Sequence, residues 1–244
     1  MRNVLSAVTR YTDGSYSDAN PGWHEEDSAW KAAHIAALLS GSEITPRTIC
    51  EIGCGAGRIL QCLSKVYPMA TLAGYDISPQ AIAMAKRHES ESLKFYEMDL
   101  LSLDKLKFDI VIAADVFEHV EDYLGFLRKL IAYGTLFVFH IPLDLSAIWV
   151  MQEWRILRRR TRVGHIHHFT RATALETLRD TGYFIEKWQL TGSGFVEPRS
   201  IKNRMRHMPI EILAKVAPIW TANFFGGFSL LVLACSESAN RKLR

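Results

Sequence analysis

Short apolar runs alternate with longer helical patterns along this chain, and that alternation restricts its fold more than any other feature. TICEI (48–52) reads as a first strand, followed by the glycine turn of EIGCGAG (51–57) and a helix near 57–66. LAGYDI (72–77), LKFYEM (93–98), FDIVIAA (108–114), GTLFVFHI (134–141), YFIEKW (183–188) and FSLLVLAC (228–235) read as six more strands. Between them, Ser78-Pro79 opens one helix, Tyr123, Phe126, Leu127 and Leu130 mark another, and Arg171 to Arg179 a third. Strands joined through helices pair in parallel and need cover on both sides. The expected fold is α/β: a doubly wound, mostly parallel seven-stranded sheet with helices on both faces, its ligands bound outside the carboxyl ends of the strands.

Two parts stand outside the alternation. Residues 1–43, with a helix-like stretch from about Glu26 to Leu39, read as an N-terminal helical cap. Residues 44–244 read as the main domain, with insertions at about 142–169 and 191–227 that serve as covers over the pocket. A hydrophobic share of 48% over 244 residues supports one substantial core. The opening MRNVLSAVTR lacks the apolar centre of a secretory signal, and Phe224 to Cys235 falls short of the roughly 18 apolar residues of a spanning helix. The expected location is therefore cytoplasmic. Four cysteines without metal spacing fit reduced thiols, and a net charge of +3 gives no reason to infer a nucleic-acid partner.

Glycines 53, 55 and 57 permit positive φ and close backbone approach to a ligand at the start of a helix. A dinucleotide fingerprint would place glycine at 58, where Arg58 stands. The second strand ends in Asp76, a carboxylate suited to ribose hydroxyls. With EMDL (97–100) after the third strand, AADVFEHV (113–120) after the fourth and GHIHHFTRATALETLRDTGY (164–183) before the sixth, the chain resembles the class I S-adenosylmethionine-dependent methyltransferases over roughly residues 45–235.

That resemblance implies S-adenosylmethionine as cofactor. Gly53, Cys54, Gly55 and Gly57 would pass beneath its methionine part, with Glu51 supporting the ammonium. Asp76 would hold the ribose, Ile77 lie against the adenine, Asp99 accept from its amino group and Leu100 donate through its backbone. Asp115 and Val116 would line the methyl end. A cationic sulfonium and ammonium favour such carboxylates. The plainer readings stand beside these: Asp76 and Asp99 are also suitable turn or cap acids, and Cys54 suits a small turn position better than a nucleophile.

Methyl transfer needs a general base when the acceptor arrives protonated, and histidine is the natural one near neutral pH. His119, His140 and His165 fall at pocket-side positions, with His167 and His168 nearby. Capping for His119 and core packing for His140 are the alternatives. Asp115, Glu118 and His119 form D-x-x-E-H, which resembles metal-linked residues of some quinone-pathway methyltransferases. The same spacing arises from capping, and no metal is expected.

Residues 149–162 read as one amphipathic helix carrying Arg155, Arg158, Arg159 and Arg162 opposite Val150, Trp154 and Leu157. Arg199, Lys202, Arg204 and Arg206 add charge further on. This basic surface suits a phosphate, a carboxylate or an anionic membrane, or is a solvated face. Trp23 and Trp30 fit a lid or a helix packed on the sheet. The leading expectation is methyl transfer to oxygen or nitrogen of a small-molecule acceptor, an anionic one if the basic surface binds it. A non-catalytic cofactor-binding regulatory module and an RNA methyltransferase are the alternatives. No DNA partner is expected, because an N-P-P-Y or D-P-P-Y motif is missing after the fourth strand.

Overall fold

Strands β4 (Phe108–Ala114) and β5 (Gly134–Leu143) are apolar at nearly every position, as strands covered on both faces must be. In the computed structural model, which describes residues 7–23, 25–41, 44–104, 106–192 and 210–236, they lie at the centre of one sheet. β1 (Thr48–Ile52), β2 (Thr71–Asp76), β3 (Leu93–Glu97), β6 (Tyr183–Thr191) and β7 (Phe228–Ser236) complete it in the order β3-β2-β1-β4-β5-β7-β6. β1 to β5 are parallel, and β7 runs antiparallel to both β5 and β6. The sheet is thus seven-stranded and mostly parallel. The wedging of β7 between β5 and β6 is a tertiary feature that alternation along the chain leaves open.

The helices are α1 (Ala7–Thr12), α2 (Ser15–Ala19), α3 (Glu25–Leu39), α4 (Arg58–Val66), α5 (Pro79–Ala85), α6 (Tyr123–Leu130), α7 (Ala147–Met151), α8 (Glu153–Arg162), α9 (Arg171–Asp180), α10 (210–216) and α11 (Pro218–Phe225). Successive strand residues point to opposite faces. Ile49, Ile110 and Leu136 meet α3, α4 and α5 through Ile35, Leu60 and Ile82. Cys50, Val111 and Phe137 face α6 and α9 through Leu127 and Leu175. Each fully buried aliphatic chain contributes about 1.5–3 kcal/mol. The hydroxyl of buried Tyr183 donates to the Leu127 carbonyl at 2.8 Å, so this large ring leaves no unpaired donor in the core.

Two local expectations are corrected. Residues 149–162 form two helices, because the chain leaves helical geometry at Gln152 (φ −119°, ψ 63°). β5 runs on to Leu143, which places His140 inside the strand. Within the connection 191–227, residues 210–216 and Pro218–Phe225 are helical, and Arg199, Lys202, Arg204 and Arg206 lie outside the described residues.

Candidate active site

At the carboxyl end of β1 the chain reverses through EIGCGAG. Gly53 and Gly57 adopt φ values of 66° and 76°. A Cβ on Gly57 would sit 2.5 Å from the Phe95 ring, and one on Gly53 would sit 2.7 Å from Val116, so packing as well as conformation requires glycine. The Gly53 and Cys54 N–H groups donate to the Tyr75 carbonyl at 2.8 and 3.1 Å. Asp76 stands beside the loop and accepts from Gly55 N–H at 2.9 Å and Ser78 N–H at 2.8 Å. Burial raises its pKa, against the pull of these backbone donors. The acid of the second strand therefore shapes the glycine turn that it faces. Cys54 is buried, and burial pushes its thiol well above the ordinary range, away from thiolate chemistry.

Glu51 is 1% exposed, with Oε2 unpaired among the described residues. Burial holds its carboxyl well above the usual range even with Lys31 acting in the opposite direction. A buried acceptor without a donor fits a ligand ammonium. At the other end of the crescent, Ile77 is half-buried, and Asp99 is exposed, its side chain accepting from Leu101 N–H at 2.9 Å. Leu100 is fully buried. The sheet brings Glu51, the glycines, Asp76, Ile77, Asp99 and Leu100 to the carboxyl ends of three adjacent strands, the arrangement an adenosine-bearing cofactor with a cationic amino-acid end requires.

Asp115 follows β4 with φ 55°, a left-handed conformation uncommon for a residue with a side chain. Its Oδ2 lies 2.7 Å from Lys31 Nζ and its Oδ1 2.7 Å from His140 Nδ1. Burial would raise the carboxyl, but Lys31 and His140 hold it well below the usual range. Lys31 also pairs with Asp27 at 3.1 Å, and the two carboxylates keep its pKa above the ordinary value despite burial. His140 Nε2 lies 3.3 Å from the Thr191 hydroxyl, so both of its ring nitrogens have side-chain partners.

The other two candidate histidines meet each other. The rings of His119 and His165 are 4.9 Å apart and edge-on. His165 Nδ1 is hydrogen-bonded to Asp144, itself 3.6 Å from the Arg159 guanidinium. Burial would raise Asp144, but its bond to His165 and the Arg159 charge hold it low. His119 Nδ1 shares a 2.8 Å hydrogen bond with the Tyr11 hydroxyl, and burial beside His165 pushes its pKa down to about 3. Glu118 is fully buried, with neither carboxyl oxygen hydrogen-bonded among the described residues and Oε1 3.9 Å from His119 Nε2. Burial and nearby Asp115 raise it well above the usual range. The Glu118 carbonyl accepts from the Ile166 and His167 N–H groups at 2.9 and 3.1 Å, which docks the 164–168 loop on the turn after β4. One ligand atom from each of Glu118, His119 and His165 falls within 4.8 Å of the others, close enough to hold a cation.

The N-terminal helices roof this side. Arg10 donates to the carbonyls of Arg160, Thr161 and Arg162, and Asn20 also bonds Arg162, so residues 10–20 cap the end of α8. Trp23 lies over Gly55, and Trp30 meets the His140 ring edge-on at 6.4 Å. Lys31, Tyr11 and Asp144 are site residues that the sequence reading missed. Lys31 left a signal: it falls on the helical stripe Ser28, Ala32, Ile35, Leu39, a charge on an otherwise core-facing side. Tyr11 and Asp144 left none, because their partners are 108 and 21 residues away.

Comparison with known proteins fits this geometry. The profile of the methyltransferase-domain family matches residues 23–187, well over half of the chain. The ubiquinone biosynthesis O-methyltransferase of Thiobacillus denitrificans is 26% identical over 130 residues, covering 48% of this chain and 55% of that one. The chain thus spans about half the length of that curated relative. Among solved structures, the Haloferax volcanii methyltransferase in complex with the Trm112 methyltransferase activator matches with a TM-score of 0.65 at 17% identity, over 94% of this chain and 97% of that one. The plantazolicin methyltransferase BpumL in complex with SAH matches with a TM-score of 0.56 at 17% identity, over 95% and 94%. At those identities the two structures speak for the fold. The family profile, which spans well over half of the chain, identifies it as a member of the methyltransferase-domain family, and its fold is the class I fold of these two structures.

Proposed function

We propose that this protein transfers a methyl group from S-adenosylmethionine to an oxygen or nitrogen of a small-molecule acceptor bound beneath the N-terminal cap. The observation that carries this reading is the buried Asp144–His165 pair beside His119, next to Asp115 at the carboxyl end of β4. The cofactor supplies an electrophilic methyl group on a cationic sulfonium. Glu51 is suited to its ammonium, Gly53, Cys54, Gly55 and Gly57 to its amino-acid part, and Asp76 to its ribose. Ile77, Asp99 and Leu100 are suited to the adenine, and Asp115 and Val116 to the methyl end.

His165 is the general base in this reading. Its Nδ1 is occupied by Asp144, leaving Nε2 to take the acceptor proton, and the carboxylate steadies the imidazolium that forms. His119, held neutral by burial, orients the acceptor, with Tyr11 fixing its ring. His140 acts at one remove by holding Asp115 in place. Most of the remaining barrier reduction comes from in-line alignment and from the exclusion of water under the cap. The ubiquinone relative, an O-methyltransferase by name, supports oxygen as the accepting atom.

This reading assigns no metal to Glu118, whose carboxyl is held well above the usual range by burial and by nearby Asp115. Addition of EDTA should leave turnover unchanged. The reading is tested by calorimetry with S-adenosylmethionine and NAD, followed by a methyl-transfer screen over carboxylate, phenol and amine acceptors. Preference for the sulfonium cofactor with turnover of one acceptor class is expected. Preferential NAD binding would sink the proposal.

A further inference from the structure

Of the fifteen large hydrophobic side chains exposed among the described residues, nine lie on α7, α8, α10 and α11. Neither α7 nor α8 buries a single residue, so the core does not account for their apolar content. Val150, Met151, Trp154 and Leu157 are 51%, 85%, 56% and 61% exposed. α7 lies against the α11 region: Trp149 and Ser146 fill the space that a side chain at Gly226 would take. On α11, Trp220 and Phe224 are 53% and 40% exposed, with their rings stacked at 5.0 Å. Trp154 and Trp220 thus stand exposed on α8 and α11, which both pack against α7, and exposed apolar side chains concentrated in one part of the fold mark an interaction surface.

Its charge identifies the occupant. Within ten residues α8 carries Arg155, Arg158, Arg159, Arg160 and Arg162 against the single acid Glu153, in a protein of net charge only +3. The Arg155 guanidinium lies 5.4 Å over the Trp154 ring, an apolar body beside a cationic head. No helix among the described residues is long and apolar enough to cross a membrane, and α8 at ten residues is suited to lying flat in an interface. A protein partner would need acidic groups interleaved with apolar ones, whereas an anionic bilayer supplies both chemistries over its whole surface.

We infer that the α7–α8–α11 corner docks on an anionic lipid bilayer, Trp154, Leu157 and Trp220 entering the interface while Arg158, Arg160 and Arg162 engage headgroup phosphates. The docked face is tied to the candidate site. Arg10 bonds the last carbonyls of α8, and Arg159 pairs with Asp144 behind His165. Docking therefore sets the acceptor side of the sheet next to the membrane. The inference does not depend on the methyl-transfer reading, since it rests on exposure and charge alone.

The test is sedimentation of the full chain with vesicles of phosphatidylcholine alone and of equal parts phosphatidylcholine and phosphatidylglycerol, at low and high salt. Binding to the anionic vesicles at least about tenfold stronger than to the neutral ones, and weakened by salt, is expected. The double variants Trp154→Ser/Leu157→Ser and Arg158→Glu/Arg162→Glu should each lose about tenfold or more in partition while retaining cofactor affinity by calorimetry, which shows that they fold. Wild-type protein that stays in solution with anionic vesicles, or variants that partition as wild type does, would overturn the inference. So would a dimer in sedimentation velocity that Trp154→Ser/Leu157→Ser abolishes, since a second copy would then cover the corner.

Discussion

The two halves of the carboxyl edge are built differently. On the β1–β2–β3 side the site is made of neighbours in sequence: a glycine turn, an acid at the end of the next strand, and backbone N–H groups that bond it within about 20 residues. On the β4–β5 side it is gathered from Tyr11, Lys31, Asp115, His119, His140, Asp144 and His165, joined by side-chain bonds across 21 to 108 positions. Short-range construction suits a cofactor common to many reactions. In the proposed reading, long-range construction lets the cap and insertion vary the acceptor side without disturbing the cofactor side.

The sharpest way to break the contrast is on the cofactor side. Gly57→Val forces a branched side chain at φ 76° into the Phe95 ring. Cofactor affinity should fall by about 100-fold or more, read by calorimetry, because strain and clash together cost about 3 kcal/mol. Lys31→Met probes the seam between the halves. It leaves Asp115 without its closest cation, and stability should fall by about 2 kcal/mol in urea denaturation. An unchanged midpoint would mean that the cap is not anchored through this pair.

The third probe is pH. Burial beside His165 holds folded His119 near 3, below its ordinary 6.5. As pH falls through 6.5 the unfolded chain takes up a proton that the folded form refuses, and stability is lost down to about pH 3, by on the order of a few kcal/mol. His119→Gln should flatten this slope relative to wild type. Equal slopes would show that His119 titrates freely.

The same contrast explains what the sequence disclosed. EIGCGAG, GYDIS and EMDL were legible because strand ends, turn glycines and their acids follow one another along the chain, and the parallel alternation gave the sheet. The place of β7 was not legible, since antiparallel pairing with β5 and β6 depends on tertiary packing. Nor was the break at Gln152, where an apolar and basic periodicity passes unbroken through two helices. His119, His140 and His165 could be nominated by position, yet only the partners Tyr11, Thr191 and Asp144 separate them.

The measurement that bears most directly on the account is made on His165→Ala, with cofactor affinity by calorimetry and methyl transfer by single-turnover assay on the same preparation. If the two halves are separable and His165 is the base, affinity stays within about twofold while the transfer rate falls by about 10²- to 10⁴-fold. Transfer at the wild-type rate with affinity intact would contradict the assignment.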